Sequence, residues 1–217
     1  AFPLGSGTER YPDYRPFVKE RRLAYNGTVL GELRVSRFLL ERLLPQTKLS
    51  SFRAGHLQNP FNLPEALAAT DYRFDSTMTA NMALTHLPFQ LNHSRGPQAE
   101  VNVYEFPITI EDEIDAPMLN RLPQALDLAR KLSRYGGLFV VLIHPDILGQ
   151  KLEFERKFVE AVREGSWFGT LADFGAWWQA RDSVEIDVIS DGGTQKVHLV
   201  AKLPIKDLTL NIPRHLK

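Results

Sequence analysis

The chain contains no cysteine, which excludes disulfides and thiolate metal sites and leaves the redox compartment open. It has no excess charge either: 26 basic residues balance 26 acidic ones, so no net field gathers nucleic acid or an acidic membrane surface. Nucleic acid is therefore not an expected partner. No apolar run approaches the roughly 20 residues that span a bilayer, and none has the form of a secretory signal core. Internal repeats, low-complexity segments and glycine-rich phosphate loops are missing, and no Gly-x-Ser-x-Gly elbow supports a serine hydrolase. The six histidines are His56, His86, His93, His144, His198 and His215, and no two are separated by three residues. A helical two-histidine metal site thus has no candidate pair.

What is present is enough apolar material for one substantial core. At 217 residues and 43% hydrophobic composition, one domain with a small appendage is expected. The most informative stretch is the apolar run Leu138-Phe139-Val140-Val141-Leu142-Ile143, which stops at His144-Pro145. A run of that kind predicts a strand buried along its length, and a histidine at its carboxyl end sits where parallel α/β folds keep catalytic groups. Leu49-Ser50-Ser51-Phe52 leads into Arg53-Ala54-Gly55-His56 in the same way. Two polar strand ends suggest one site, although a lone histidine before proline also serves as a plain strand end.

Along the chain, residues 1–26 are rich in Pro, Gly, Arg and Tyr without periodicity and read as loop. Residues 29–44 repeat apolar positions at helical spacing until Pro45, and Asn62-Leu63-Pro64-Glu65 has the form of a helix start with Asn62 as the cap. Tyr72-Arg73-Phe74 reads as a strand ending at Asp75-Ser76-Thr77, and residues 100–109 as another that carries Glu105 near its end. Helices are predicted over 123–135, 154–164 and 171–181. From Ser183 the period becomes alternating, with Asp191-Gly192-Gly193 as a turn signal between two strands and a further short strand over 208–212. The expected organisation is a parallel α/β unit over 1–182 and a β hairpin appendage over 183–217.

Five pieces in order carry a family resemblance: Ser51-Phe52-Arg53-Ala54-Gly55-His56, Leu63-Pro64-Glu65-Ala66-Leu67, Asp71-Tyr72-Arg73-Phe74-Asp75-Ser76, Glu105-Phe106-Pro107-Ile108, and Leu142-Ile143-His144-Pro145. Together they resemble the later part of the polysaccharide deacetylases, the NodB-homology or carbohydrate esterase family 4 enzymes, over about residues 28 to 181. The family's opening motifs, a Thr-Phe-Asp-Asp strand end and a His-x-x-x-His helix, are not in this chain. Gly55 and His56 also stand where many members have proline and an aromatic residue. Since the chain opens at Ala1 and a barrel without its first strands has open edges, the expectation is that those strands lie outside it.

The resemblance implies a parallel (β/α) barrel of seven or eight strands and metal-assisted hydrolysis of an N-acetyl group on a glycan. The implied cofactor is a divalent metal, usually zinc, with its ligands not identified here. His144 matches the acid that protonates the leaving amine, and Arg53 matches the arginine that holds the base carboxylate. Asp75 is a candidate to orient His144, while His56, Glu105 and Trp167 are candidates to line a sugar cleft. Trp177 and Trp178 fall in a helical pattern and are expected to pack in a core. A glycan substrate favours the cell envelope. The alternative is a non-catalytic carbohydrate-binding relative that lost its metal site.

Overall fold

The computed structural model describes residues 17–20, 23–25, 28–97, 99–113, 116–146 and 148–211. Within the segment read as loop, β1 (Phe17–Glu20) and β2 (Leu23–Tyr25) form an antiparallel pair with an irregular register. Sequence reading missed them because proline, glycine and arginine dominate the surrounding composition.

Helix α1 (Val29–Leu43) starts where the Thr28 hydroxyl accepts from the Gly31 N–H at 3.0 Å. Glu32 in its first turn and Arg42 in its last complement the helix dipole, and the chain leaves the helix before Pro45. Strand β3 (Ser51–Phe52) follows, and then α2 (Leu63–Ala68), with Pro64 in its first turn and Leu63, Ala66 and Leu67 buried. Asn62 occupies the cap position, but its side chain makes no capping hydrogen bond. Next come β4 (Phe74–Asp75), the short helix α3 (Ala80–Ala83) capped by Thr79, β5 (Phe89–Asn92) and β6 (Glu100–Glu105).

These strands make a four-stranded sheet in the order β3-β4-β6-β5. The first three are parallel, whereas β5 runs antiparallel to β6 with a register irregularity between Gln90 and Asn92. Leu33 of α1, Leu63, Ala66 and Leu67 of α2, and Leu91 and Val103 of the sheet share one hydrophobic core with Tyr72. Beyond β6, strand β7 (Ile110–Glu111) pairs in parallel with β8 (Val141–Leu142), and a lone parallel bridge joins Thr79 to Ile108. Helices α4 (Leu122–Ser133) and α5 (Leu148–Val162) enclose a second core of Met118, Ala125, Phe154 and Phe158.

Among the described strands, β3 with β4, β4 with β6 and β7 with β8 pair in parallel, within a mixed α/β arrangement in which no closed barrel is formed by the described residues. One expectation changes. The run 138–143 is not a fully buried strand: only two of its residues pair, and only Leu142 is buried. The physical reason lies in its neighbours. Phe139, Val141 and Ile143, one alternating face of the run, pack on the core around Phe154 and Phe158, while Leu138 and Val140 on the other face are only half-buried.

The chain divides into two compact units, Ala1–Phe168 and Gly169–Lys217. The second contains α6 (Leu171–Asp182) and the hairpin of β9 (Val184–Asp191) with β10 (Thr194–Ala201), so α6 groups with the hairpin. Trp178 of α6 is buried under the Arg181 guanidinium, and the Trp177 indole N–H donates to the Lys206 carbonyl at 2.9 Å. No strand is formed over 208–211.

Core position decides the cost of truncation. Phe154 is fully buried and stacks on Phe158 with ring centroids 5.6 Å apart. Phe154→Ala is expected to lower unfolding free energy by about 3–5 kcal/mol in denaturant titration. Leu43→Ala, at a side chain 75% exposed, is expected to change it by under about 0.5 kcal/mol.

Candidate functional site

Arg53, Asp75, Glu105 and His144 each lie at or just after the carboxyl end of a strand, where open α/β sheets bind ligands. They fall into two clusters. The first joins the ends of β3, β4 and β6. Asp75 and Glu105 stand opposite each other in the β4–β6 register, and both are 0% exposed. Asp75 Oδ1 accepts from the Thr77 hydroxyl at 2.5 Å, and Asp75 Oδ2 lies 3.5 Å from Arg95 Nη2. Glu105 Oε1 accepts from the Met78 N–H at 2.8 Å. Arg53 donates through Nε to the Ser76 carbonyl and through Nη2 to the Ser76 hydroxyl, both at 2.8 Å.

Burial dominates the electrostatics of this cluster. It raises the pKa of Asp75 and, aided by the Asp75 charge, pushes Glu105 up to about 9. It also lowers the pKa of Arg53 and of Arg95, against the attraction of both carboxyls.

The second cluster is built on β7, β8 and the first turn of α5. The Nδ1–H of His144 donates to Asp112 Oδ1 at 2.8 Å, and the His144 backbone N–H donates to Asp112 Oδ2 at 2.9 Å. Lys151 Nζ lies 2.6 Å from Asp112 Oδ2 and 2.6 Å from Asp146 Oδ1. Asp112 is enclosed, while the His144 side chain stays 42% exposed, with Nε2 3.7 Å from Glu113 Oε1. The bonds from Lys151 and His144 outweigh the desolvation of Asp112 and hold its pKa well below the usual carboxylate range. The bond to Asp112 in turn raises that of His144. An ionised carboxylate thus fixes the ring and leaves Nε2 as its outward face, the arrangement of a side chain that can hand on a proton.

The structure brings Arg53 and Asp75 into one cluster and places His144 in the other. The residue that orients His144 is Asp112, not Asp75, because Asp112 follows β7, the strand paired with β8. Glu105 lines no cleft; it is enclosed between strands. His56 is exposed in a tight turn with φ 54°, and Trp167 is 62% exposed. His56 shares no bond with either cluster among the described contacts.

Sequence reading missed Asp112, Lys151 and Arg95. Asp112 had a signal, since Ile108-Thr109-Ile110 runs into Glu111-Asp112-Glu113 as the other strands run into their polar ends. Lys151 had none, because only the packing of α5 turns its ammonium toward β8. Among the described residues, no three His, Cys, Asp or Glu side chains converge as metal ligands.

No family model matches the chain, and no curated protein matches it. Among solved structures, it is similar to a Mycobacterium smegmatis protein provisionally assigned as a polysaccharide deacetylase, at 15% identity and a TM-score of 0.55. The likeness is one of fold. It covers 71% of this chain, which spans 58% of that structure's length. The mixed α/β arrangement with parallel strands is therefore shared with a deacetylase-like fold.

The Asp112–His144 bond makes a direct prediction. His144 gains a partner and its pKa rises above the ordinary 6.5, so its contribution to stability is full below 6.5 and fades as pH climbs through the raised value. Asp112 works the other way: its contribution is present above the ordinary 3.8 and is lost as acid protonates it. NMR titration of the His144 ring should give a midpoint above 6.5, and Asp112→Asn should move that midpoint down.

Proposed function

We propose that this chain carries the proton-donating side of a hydrolytic N-deacetylase acting on an acetylated glycan. The observation that carries the reading is the Asp112–His144 pair at the end of β8. Amide hydrolysis requires the leaving amine to take up a proton as the carbon–nitrogen bond breaks, and a charged imidazole is suited to deliver it. Asp112 fixes Nδ1, which leaves Nε2 to donate, and Lys151 keeps Asp112 ionised throughout. Arg53, tied to Ser76, offers a fixed cation at a neighbouring strand end. The fold likeness to a deacetylase and the order of the sequence motifs support the same reading.

The described residues do not fit the divalent metal that the resemblance implies, because no ligand set converges among them. The same observation favours a second reading, a carbohydrate-binding relative that does no chemistry.

Acetate release from an N-acetylglucosamine oligomer by the full protein, with and without added zinc, separates the two. The deacetylase reading expects release, and a loss of about 100-fold or more in turnover for His144→Ala. An activated acetyl ester, whose leaving group needs less protonation, should lose less in that variant. Oligomer binding without acetate release under either condition supports the binding relative. Equal losses on amide and ester would remove His144 as the acid.

A further inference from the structure

The buried pair at the ends of β4 and β6 has no part in that reaction, and its geometry is unusual for two acids. Asp75 and Glu105 face each other in register with no exposure, and each has one carboxyl oxygen, Asp75 Oδ2 and Glu105 Oε2, without a hydrogen-bond partner. Around them runs a continuous weave. The Ala54 N–H donates to the Thr77 hydroxyl, and that hydroxyl donates to Asp75. Arg53 donates to the Ser76 hydroxyl, which donates to the Phe106 carbonyl, while the Phe106 N–H donates to the Asp75 carbonyl.

We propose that Asp75 and Glu105 share a single proton, and that this one-proton pair, with Arg95 Nη2 3.5 Å from Asp75 Oδ2, positions the end of β4 and with it the guanidinium of Arg53. The inference does not depend on the hydrolase reading.

The distribution of partners says which acid holds the proton. Asp75 has the Thr77 hydroxyl and the Arg95 guanidinium, so it is the better solvated as an anion. Among the described contacts, Glu105 accepts from one backbone N–H and forms no ion pair, while Arg53 commits Nε and Nη2 to Ser76. Glu105 is therefore the neutral member, and a carboxylic acid donating to its neighbour removes the repulsion that two adjacent anions would suffer. Burial and the Asp75 charge, which push Glu105 up to about 9, agree with this. The charged groups bearing on the pair are Arg53 after β3 and Arg95 in the turn after β5, with Glu65 of α2 acting on Arg95.

The sign of the linkage follows. A carboxyl raised from 4.5 to about 9 stabilises the fold fully below 4.5, and that contribution drains away as pH rises toward 9. Denaturation of the whole chain between pH 5 and 9 should show the folding equilibrium falling by up to about tenfold per pH unit on this account. Glu105→Gln, which mimics the neutral acid, should flatten that slope and stay folded. Glu105→Ala should be flat as well but weaker at every pH. In the wild-type protein, the 13C carboxyl signal of Glu105 should titrate far above 4.5, and the Arg53 Nε–H signal should move with the same midpoint. That movement should vanish in Glu105→Gln. A Glu105 midpoint near 4.5, an unchanged slope in the Gln variant, or an Arg53 signal indifferent to the Glu105 titration would each overturn the proposal.

Discussion

Removing two carboxyl groups from water in the same place is the constraint around which the strand ends are arranged. Water would solvate each acid well, and a protein interior must replace that solvation with dipoles, cations or a proton. Here the replacement recruits three strands. The hydroxyls of Ser76 and Thr77, the amides of Ala54, Met78 and Phe106, and two arginines all face one small region. Strands of two residues, as β3 and β4 are, would hardly define a sheet by backbone pairing alone. The polar weave at their ends supplies the cross-links that such short ladders cannot.

The two clusters divide labour through hydration. Around Asp75 and Glu105 both carboxyls are fully enclosed, and burial pushes their pKa values up. Around His144, the supporting carboxylate is enclosed but the ring is half open, so charge is held ready on an atom that a solute can reach. Lys151 makes this possible: its ammonium balances Asp112 on the side away from the ring and reaches the His144 carbonyl at 3.3 Å. The Glu105 carboxyl is enclosed, whereas the His144 ring keeps part of its surface in contact with solvent.

Much of the helical scaffold was legible because amphipathic period and helix ends are local properties. Residues 29–43 and 63–68 show it, with Pro45 and Pro64 marking an end and a beginning. Strand lengths were not legible. The run 138–143 has the composition of a buried strand, yet its side chains serve α5, and composition does not say which neighbour an apolar residue will meet. The same limit governs the site. Position at a strand end is written in sequence, so Arg53, Asp75, Glu105 and His144 could be singled out. Partnership depends on strand order, and the insertion of β6 between β4 and β5, with β7 continuing onto β8, gave His144 to Asp112 and Asp75 to Glu105. The β1–β2 pair had no periodic signal at all.

The central place of β6 also sets a clock for solvent. The strand is flanked on both edges, by β4 and β5, and its Val103, Tyr104 and Glu105 are buried. The Tyr104 and Phe106 amides bond to the Arg73 and Asp75 carbonyls of the neighbouring strand segment at 2.8 and 2.7 Å. Deuterium can replace those amide hydrogens only when the sheet itself opens, whereas residues on the outer edges exchange through local fraying. The slowest-exchanging amides of this sheet therefore sit beside its buried acid, and their exchange follows the rarest opening of the strand ends.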